Sequence, residues 1–132
     1  MNPKDAIGQA KPCLSRLPMP VIFEVGLAME EGAAKYGPFN WREAGIRTDV
    51  YTDAAFRHIT QWIEGEDIDS DSGLSHITKA IASLVILRDG ILGGNAIDSR
   101  PPRCANRDWM DSLKADKEKM NVILRSLIVE ES

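Results

Sequence analysis

The chain has 132 residues, with 16 Lys and Arg against 20 Asp and Glu, for a net charge of −4. That length supports one domain with one hydrophobic core, and the acidic balance argues against nonspecific nucleic-acid binding, which needs a basic surface. The apolar share of 43% is ordinary for a soluble globular chain, and no apolar run approaches the ~20 residues of a membrane span. The first 18 residues lack the apolar centre of a signal peptide, so a cytoplasmic placement is expected. Cys13 and Cys104 stand far apart without a CxxC spacing and read as two free thiols in a reducing compartment.

Residues 1–18 hold three prolines and read as an extended N-terminal arm. Pro20 suits a first helical position, opening a helix that stops near Tyr36-Gly37-Pro38. On it Ile22, Val25, Met29, Ala33 and Tyr36 recur at helical spacing and are expected to face the core. Glu24, Glu31 and Lys35 share a separate polar face, and Glu30 points away from Glu31. Residues 37–50, with Gly, Pro and Asn, read as a loop. A second helix is expected from about Tyr51 to Glu64, with Tyr51, Ala55, Ile59 and Trp62 as its apolar stripe and Arg57, Gln61 and Glu64 as a polar one. An acidic turn follows.

Asp71 or Ser72 can cap a third helix. It carries Leu74, Ile77, Ile81, Leu84, Val85, Arg88 and Ile91 up to Leu92, and Gly93-Gly94 stops it. As the most apolar helix it belongs at the centre or in a subunit interface. Residues 95–107, with Pro101-Pro102, are irregular. The last helix, over 108–130, carries Trp109, Leu113, Met120, Ile123, Leu124 and Leu127. Its charged middle, residues 114–119, reads as a solvated face rather than a ligand site. The pattern predicts an all-α four-helix bundle in one domain spanning 1–132. Enough apolar surface remains on the first and third helices for a homo-oligomer.

The stretch from Arg57 to His76 concentrates the chemistry. It holds Glu64, Glu66, Asp67, Asp69 and Asp71, both histidines of the chain and Arg57. Hard divalent cations take several carboxylate oxygens, and phosphates take cations and donors, so metal-assisted phosphate chemistry is a candidate. A plain solvated turn is the bland alternative. A calcium loop is disfavoured, because Ser72 stands where its glycine belongs and Thr78 where its bidentate glutamate belongs. Glu31, with Glu66 and Asp69, supplies carboxylates from two places, and the Glu66-x-x-Asp69 spacing puts two of them on one side of a helical turn. Glu64 and Asp71 can substitute. Glu31 can equally form an i,i+4 pair with Lys35.

Lys35, Arg57 and His76 can offer charge or donors to a polyphosphate. His58 and His76 can bind a metal instead, although a lone histidine is more often structural. There is no phosphate-binding glycine loop and no nucleophile motif, so the implied nucleophile is a metal-activated water. Phe39 and Trp41 can stack on a base or plug the end of the bundle. Asn40 can bond a base edge or hold a turn.

Taken together, these residues resemble a known family. Glu30-Glu31-Gly32-Ala33-Ala34-Lys35-Tyr36-Gly37, Asn40-Trp41-Arg42, Arg57-His58, Gly65-Glu66-x-x-Asp69 and Ser72-Gly73-x-x-His76 are similar to the phage and bacterial dATP/dGTP diphosphohydrolases, a branch akin to the MazG-like all-α nucleotide pyrophosphohydrolases. The likeness covers about residues 4 to 92, including Lys4-Asp5 and the Gly8 to Pro18 arm. It implies hydrolysis of a nucleoside or deoxynucleoside triphosphate between the α and β phosphates, releasing monophosphate and pyrophosphate. It further implies two or three Mg²⁺ or Mn²⁺ ions and a dimer or tetramer with sites near subunit interfaces. A purine substrate is expected, dGTP or GTP foremost, with the dGMP product feeding 2-aminoadenine nucleotide synthesis in a phage.

Carried over by residue, the resemblance makes Glu30, Glu31, Glu66 and Asp69 metal ligands. With the cations, donors and aromatics read above, Glu31, Lys35, Arg57, Glu66, Asp69 and His76 form the expected catalytic set, and Lys35, Tyr36, Asn40, Trp41, Arg57 and His58 the expected substrate contacts. The third glutamate of the MazG-like pattern falls on Ala34, which cannot be a ligand. That departure leaves room for an alternative, a helical nucleotide-binding or regulatory oligomer without hydrolysis.

Overall fold

Pro3 stands in the first turn of a short helix, α1 (Pro3–Gln9), which Asn2 caps by accepting the Lys4 N–H at 2.9 Å. The structure is a computed structural model and describes residues 2–131, with side chains through residue 128. Where three prolines predict an extended arm, α1 and a 3-10 turn at Leu14–Arg16 are found instead. Residue 1 of that arm lies outside the described residues. Proline favours a helix start as much as extended chain, so its presence does not separate the two.

Next comes α2 (Met19–Tyr36), with Pro20 in its first turn, ending at Gly37 with a φ of 92° that glycine holds without strain. The stretch expected as a loop over 37–50 folds into α3 (Asn40–Ala44), a two-residue strand β1 (Ile46–Arg47) and the first turn of α4 (Thr48–Ile63). β1 pairs in parallel with β2 (Ala96–Ile97), Ile46 opposite Ala96. Two residues are too few to show an alternation. The next helix, α5 (His76–Leu92), is capped by Ser75, which accepts the Ile77 N–H at 3.1 Å. The expected caps, Asp71 and Ser72, lie in the preceding turn. The last helix is α6 (Trp109–Glu131). The fold is mostly helical, as the periodicity predicts, and α2, α4, α5 and α6 are the four helices it locates.

Two compact units divide between Arg100 and Pro101. In the first, α5 is central and packs against α4 and α2. Its buried positions are small or short: Thr78, Ala80, Ala82 and Gly90, beside His76. Such residues let neighbouring backbones approach. Val25 and Ala28 of α2 form the core cluster with Ala82, and Met29, Leu74 and Ile81 pack around them. Ile46 lies on Gly90, where an added Cβ would stand 2.5 Å from its Cδ1.

The apolar stripes face this core only in part. Val25 and Ala55 are buried, but Ile22, Tyr36, Ile59, Trp62, Leu84, Val85 and Ile91 are exposed. A helix apolar on several sides carries the helical period without marking which side is inward.

The segment 38–47 is fastened to α5 by one carboxylate. Asp89 accepts the Trp41 Nε1–H at 2.7 Å and both Arg42 Nε (2.9 Å) and Nη2 (3.0 Å). Arg42, then Trp41, hold its pKa down to about 2. Asn95 Nδ2 donates to the carbonyls of Trp41 (2.6 Å) and Arg42 (3.0 Å). Before this anchor Phe39 adopts a left-handed φ of 55°, costly for a bulky side chain. Its ring lies 5.4 Å from that of Trp41 and 4.7 Å beneath the Arg42 guanidinium.

In the second unit, Trp109, Leu113, Met120 and Leu124 of α6 are exposed. Cys13 and Cys104 are exposed free thiols. No described helix is long and apolar enough to cross a membrane.

Candidate active site

The loop between α4 and α5 builds one wall of a polar cleft of about 790 Å³. Gly65, at a φ of 98°, turns the chain after α4. The loop then folds on itself: Asp69 N–H donates to Leu74 O at 2.8 Å, Gly73 N–H to Asp69 O at 2.7 Å, and His76 N–H to Asp67 O at 3.0 Å. The Asp69 carboxylate, 9% exposed, accepts the Asp71 N–H at 3.1 Å and the Ser72 hydroxyl at 3.3 Å. Glu66 and Asp69 therefore stand on a loop, not on one side of a helical turn. Acidic residues with serine and glycine favour side-chain-to-backbone turns over helix, which overrides the i,i+3 spacing. The other walls are the end of α2 with Lys35 and Tyr36, the middle of α4 with Arg57, His58 and Gln61, and Lys79 of α5.

The two histidines are partners. His58 Nδ1 lies 2.8 Å from His76 Nδ1, although the residues are 18 apart in sequence. Neither histidine is therefore a lone one: α4 and α5 run side by side and bring the rings together. His76 is 1% exposed. Its Nε2 has no hydrogen-bond partner among the described residues, the nearest carboxylate oxygen being Glu66 Oε1 at 3.5 Å. Burial pushes the His58 pKa down, against the pull of Asp69. His58, Asp69 and His76 each offer a ligand atom, all within 4.8 Å of one another.

Glu31 sits between two ammonium groups. Lys35 Nζ is 2.6 Å from Oε1 and Lys79 Nζ 2.5 Å from Oε2. Lys35, then Lys79, hold the carboxyl below the usual glutamate range, and Glu31 in turn raises Lys35. Of the two readings of Glu31 left open by spacing, the pair with Lys35 is formed. Lys79 was not anticipated. Its sequence signal is His76-x-x-Lys79 on a helix, a spacing that points both side chains the same way. Arg57 makes no ion pair among the described residues.

An apolar cleft of about 410 Å³ adjoins, lined by Met29, Glu30, Pro38, Phe39, Asn40, Trp41, Tyr51 and Ile86 among others. Tyr36 and Lys79 line both clefts. The sequence-predicted residues thus divide. Lys35, Tyr36, Arg57, His58 and Asp69 line the polar cleft together with Asp71. Glu30, Tyr36, Asn40 and Trp41 line the apolar one, with Trp41 buried in its wall. His76 touches the polar cleft's lining through His58, and Glu66 stands behind His76; neither lines the cleft itself. Glu30 and Glu31 point apart, as their adjacency on a helix requires. Glu64 caps α4 at its C-terminus and is exposed.

The family model described as "dATP/dGTP diphosphohydrolase, N-terminal" matches residues 1–100. A relative named dATP/dGTP diphosphohydrolase, from Salmonella phage PMBT28, is 30% identical over 79 residues, which cover 60% of this chain and 27% of that protein. The chain therefore matches about a quarter of the length of that curated relative. No solved structure matches.

Proposed function

The chain belongs to the dATP/dGTP diphosphohydrolase N-terminal family, and on that premise we propose that it hydrolyses a purine nucleoside or deoxynucleoside triphosphate to the monophosphate and pyrophosphate. The observation that carries this reading is the pair of adjoining clefts, one cationic and one apolar, sharing Tyr36 and Lys79. Their sizes suit a small ligand, and their opposite character suits the two ends of a nucleotide. The triphosphate lies among Lys35, Arg57 and Lys79. The base lies against Tyr36 and Phe39, with Asn40 at its edge. Substrates are dGTP and GTP first, with dATP as the family name suggests, and dGMP supplies 2-aminoadenine nucleotide synthesis in a phage host's cytoplasm.

The residues present fit a divalent ion. Asp69 is a buried carboxylate beside two imidazoles, and Glu66 stands against one of them. His58, Asp69 and His76, with Glu66 beside His76, would hold a divalent ion such as Mn²⁺, which when bound would polarise a phosphoryl oxygen and acidify a water. Glu31 and Glu30 are less suited as ligands, since the first is engaged by two lysines and the second opens onto the apolar cleft. Glu31 instead acts as a positioning residue that aims both ammonium groups.

Attack of water on the α-phosphorus breaks its bond to the oxygen bridging to the β-phosphate. Lys35 and Lys79 offset the charge that gathers on departing pyrophosphate. Their two ammoniums supply positive charge that second and third ions would otherwise bring.

The reading is tested with the eight common NTPs and dNTPs, with Mg²⁺ or Mn²⁺, following monophosphate and pyrophosphate by chromatography. Pyrophosphate release confined to purine nucleotides is expected. The absence of a glutamate at Ala34 and the occupation of Glu31 by lysines favour one rival, a nucleotide-binding oligomer that does not hydrolyse. Folded, metal-loaded protein that binds dGTP without turnover would establish that rival.

A further inference from the structure

We propose that His58, Asp69 and His76 bind one first-row transition-metal ion in the absence of nucleotide, and select it over Mg²⁺. The site deepens the hydrolase reading and rests on it for its purpose, though not for its test.

The argument begins with the two imidazoles. Their Nδ1 atoms face each other at 2.8 Å. Two lone pairs cannot meet at that distance without a proton or a cation shared between them. A shared proton satisfies this one contact and nothing else around the rings. The second nitrogen of His76, in a residue 1% exposed, has no hydrogen bond among the described residues. A buried polar atom left so is costly. Asp69 adds a buried carboxylate that makes no ion pair among the described residues. The cluster thus carries a buried carboxylate and facing lone pairs, with no cation in direct contact among the described residues. One divalent ion at the facing nitrogens would take up both Nδ1 lone pairs and offset the Asp69 charge, leaving the His76 Nε2–H to point toward Glu66 Oε1.

The geometry agrees. Two nitrogens 2.8 Å apart, each about 2.1 Å from an ion, subtend roughly 85° at it, close to the cis angle of octahedral coordination. Asp69 offers an oxygen within 4.8 Å of a ring nitrogen of each histidine and closes a three-donor set. Because His58 and Asp69 also line the polar cleft, the remaining positions of the ion would open toward a phosphate or water. Donor type then decides the metal. Imidazole suits Mn²⁺, Fe²⁺, Co²⁺ and Zn²⁺, whereas Mg²⁺ takes oxygen ligands and sheds water reluctantly.

The experiment uses the full chain stripped with a chelator, no nucleotide present, titrated with Co²⁺ and followed by visible absorption, with Mg²⁺ titrated by calorimetry. One Co²⁺ per chain is expected, bound roughly 100-fold tighter than Mg²⁺. His58→Ala is expected to weaken Co²⁺ by about tenfold or more while keeping the helical circular dichroism. His58 is only half-buried, so it carries the test if His76→Ala fails to fold. Equal Co²⁺ affinity in folded His58→Ala, or Mg²⁺ binding as tightly as Co²⁺, would overturn the assignment. No turnover is read, so a failed hydrolysis assay leaves this result unaffected.

Discussion

Lys79 is the residue whose role differs most from what its surroundings in sequence imply. It stands in the first turn of α5, reaches Glu31 on α2, and lines both clefts. Lys79→Ala is expected to raise KM for the nucleotide by about 10- to 100-fold, the worth of one charged hydrogen bond. Glu31→Gln should raise KM as well, by releasing both lysines, yet leave Mn²⁺ affinity in place. Steady-state kinetics and metal titration on the two variants separate positioning from ligation: lost Mn²⁺ binding in Glu31→Gln would restore Glu31 as a ligand.

Asp89 offers a second residue-scale test. Its folded pKa is depressed to about 2 by Arg42 and Trp41, against about 3.9 for an unperturbed aspartate. A depressed carboxyl contributes stability that is present above the unfolded value and lost as pH falls through the folded one. The Tm difference between wild type and Asp89→Asn should therefore be full above pH ~4 and close toward pH ~2. A gap that does not change over this range would show that Asp89 acts through shape and not charge.

Among elements, α5 decides the arrangement, and it does so through what its side chains lack. Thr78, Ala80, Ala82 and Gly90 keep its inward face shallow, so α4 lies near enough for His58 to reach His76. Gly90 is the tightest point, with Ile46 Cδ1 2.5 Å and Cγ1 2.9 Å from where a Cβ would be. Alanine there gains about 1 kcal/mol of helix propensity but overpacks a 4% exposed Ile46, at about 1–3 kcal/mol. Gly90→Ala is expected to be neutral or destabilising alone, and stabilising in an Ile46→Ala background. A double-mutant cycle by denaturant unfolding measures the coupling. Additive effects would mean that the β1 contact does not constrain the helix.

The fastening of 38–47 is a related case. Phe39 in a left-handed conformation costs on the order of 1–3 kcal/mol, and the Asp89 and Asn95 hydrogen bonds offset it. The strained residue is one that faces the apolar cleft.

At the scale of the molecule, the first unit leaves much apolar surface uncovered. Phe23 and Leu27 of α2 are 71% and 51% exposed, and Phe56 and Ile63 of α4 each 66%. Surface of this kind is a reason for association. Light scattering on the purified chain should give a multiple of the single-chain mass. Phe23→Glu with Leu27→Glu should lower that mass while preserving helicity. A single-chain mass for the wild type would sink the oligomer.

The sequence by itself determined the class of fold, the extents of the long helices and a stretch that lines the polar cleft. Each of these depends on local rules: apolar period along α2, α4 and α5, glycine stops at Gly37 and Gly93, and acidic residues close together between Arg57 and His76. The family resemblance was equally legible, because it rests on short strings in order. Which residues meet was left to the tertiary structure. The His58–His76 pair, the Glu31–Lys79 bridge and the Trp41–Asp89 anchor join residues separated by 18, 48 and 48 positions. No local spacing encodes those contacts. They follow from how closely small residues let α5 approach its neighbours, and packing of that kind is settled only when the whole core forms.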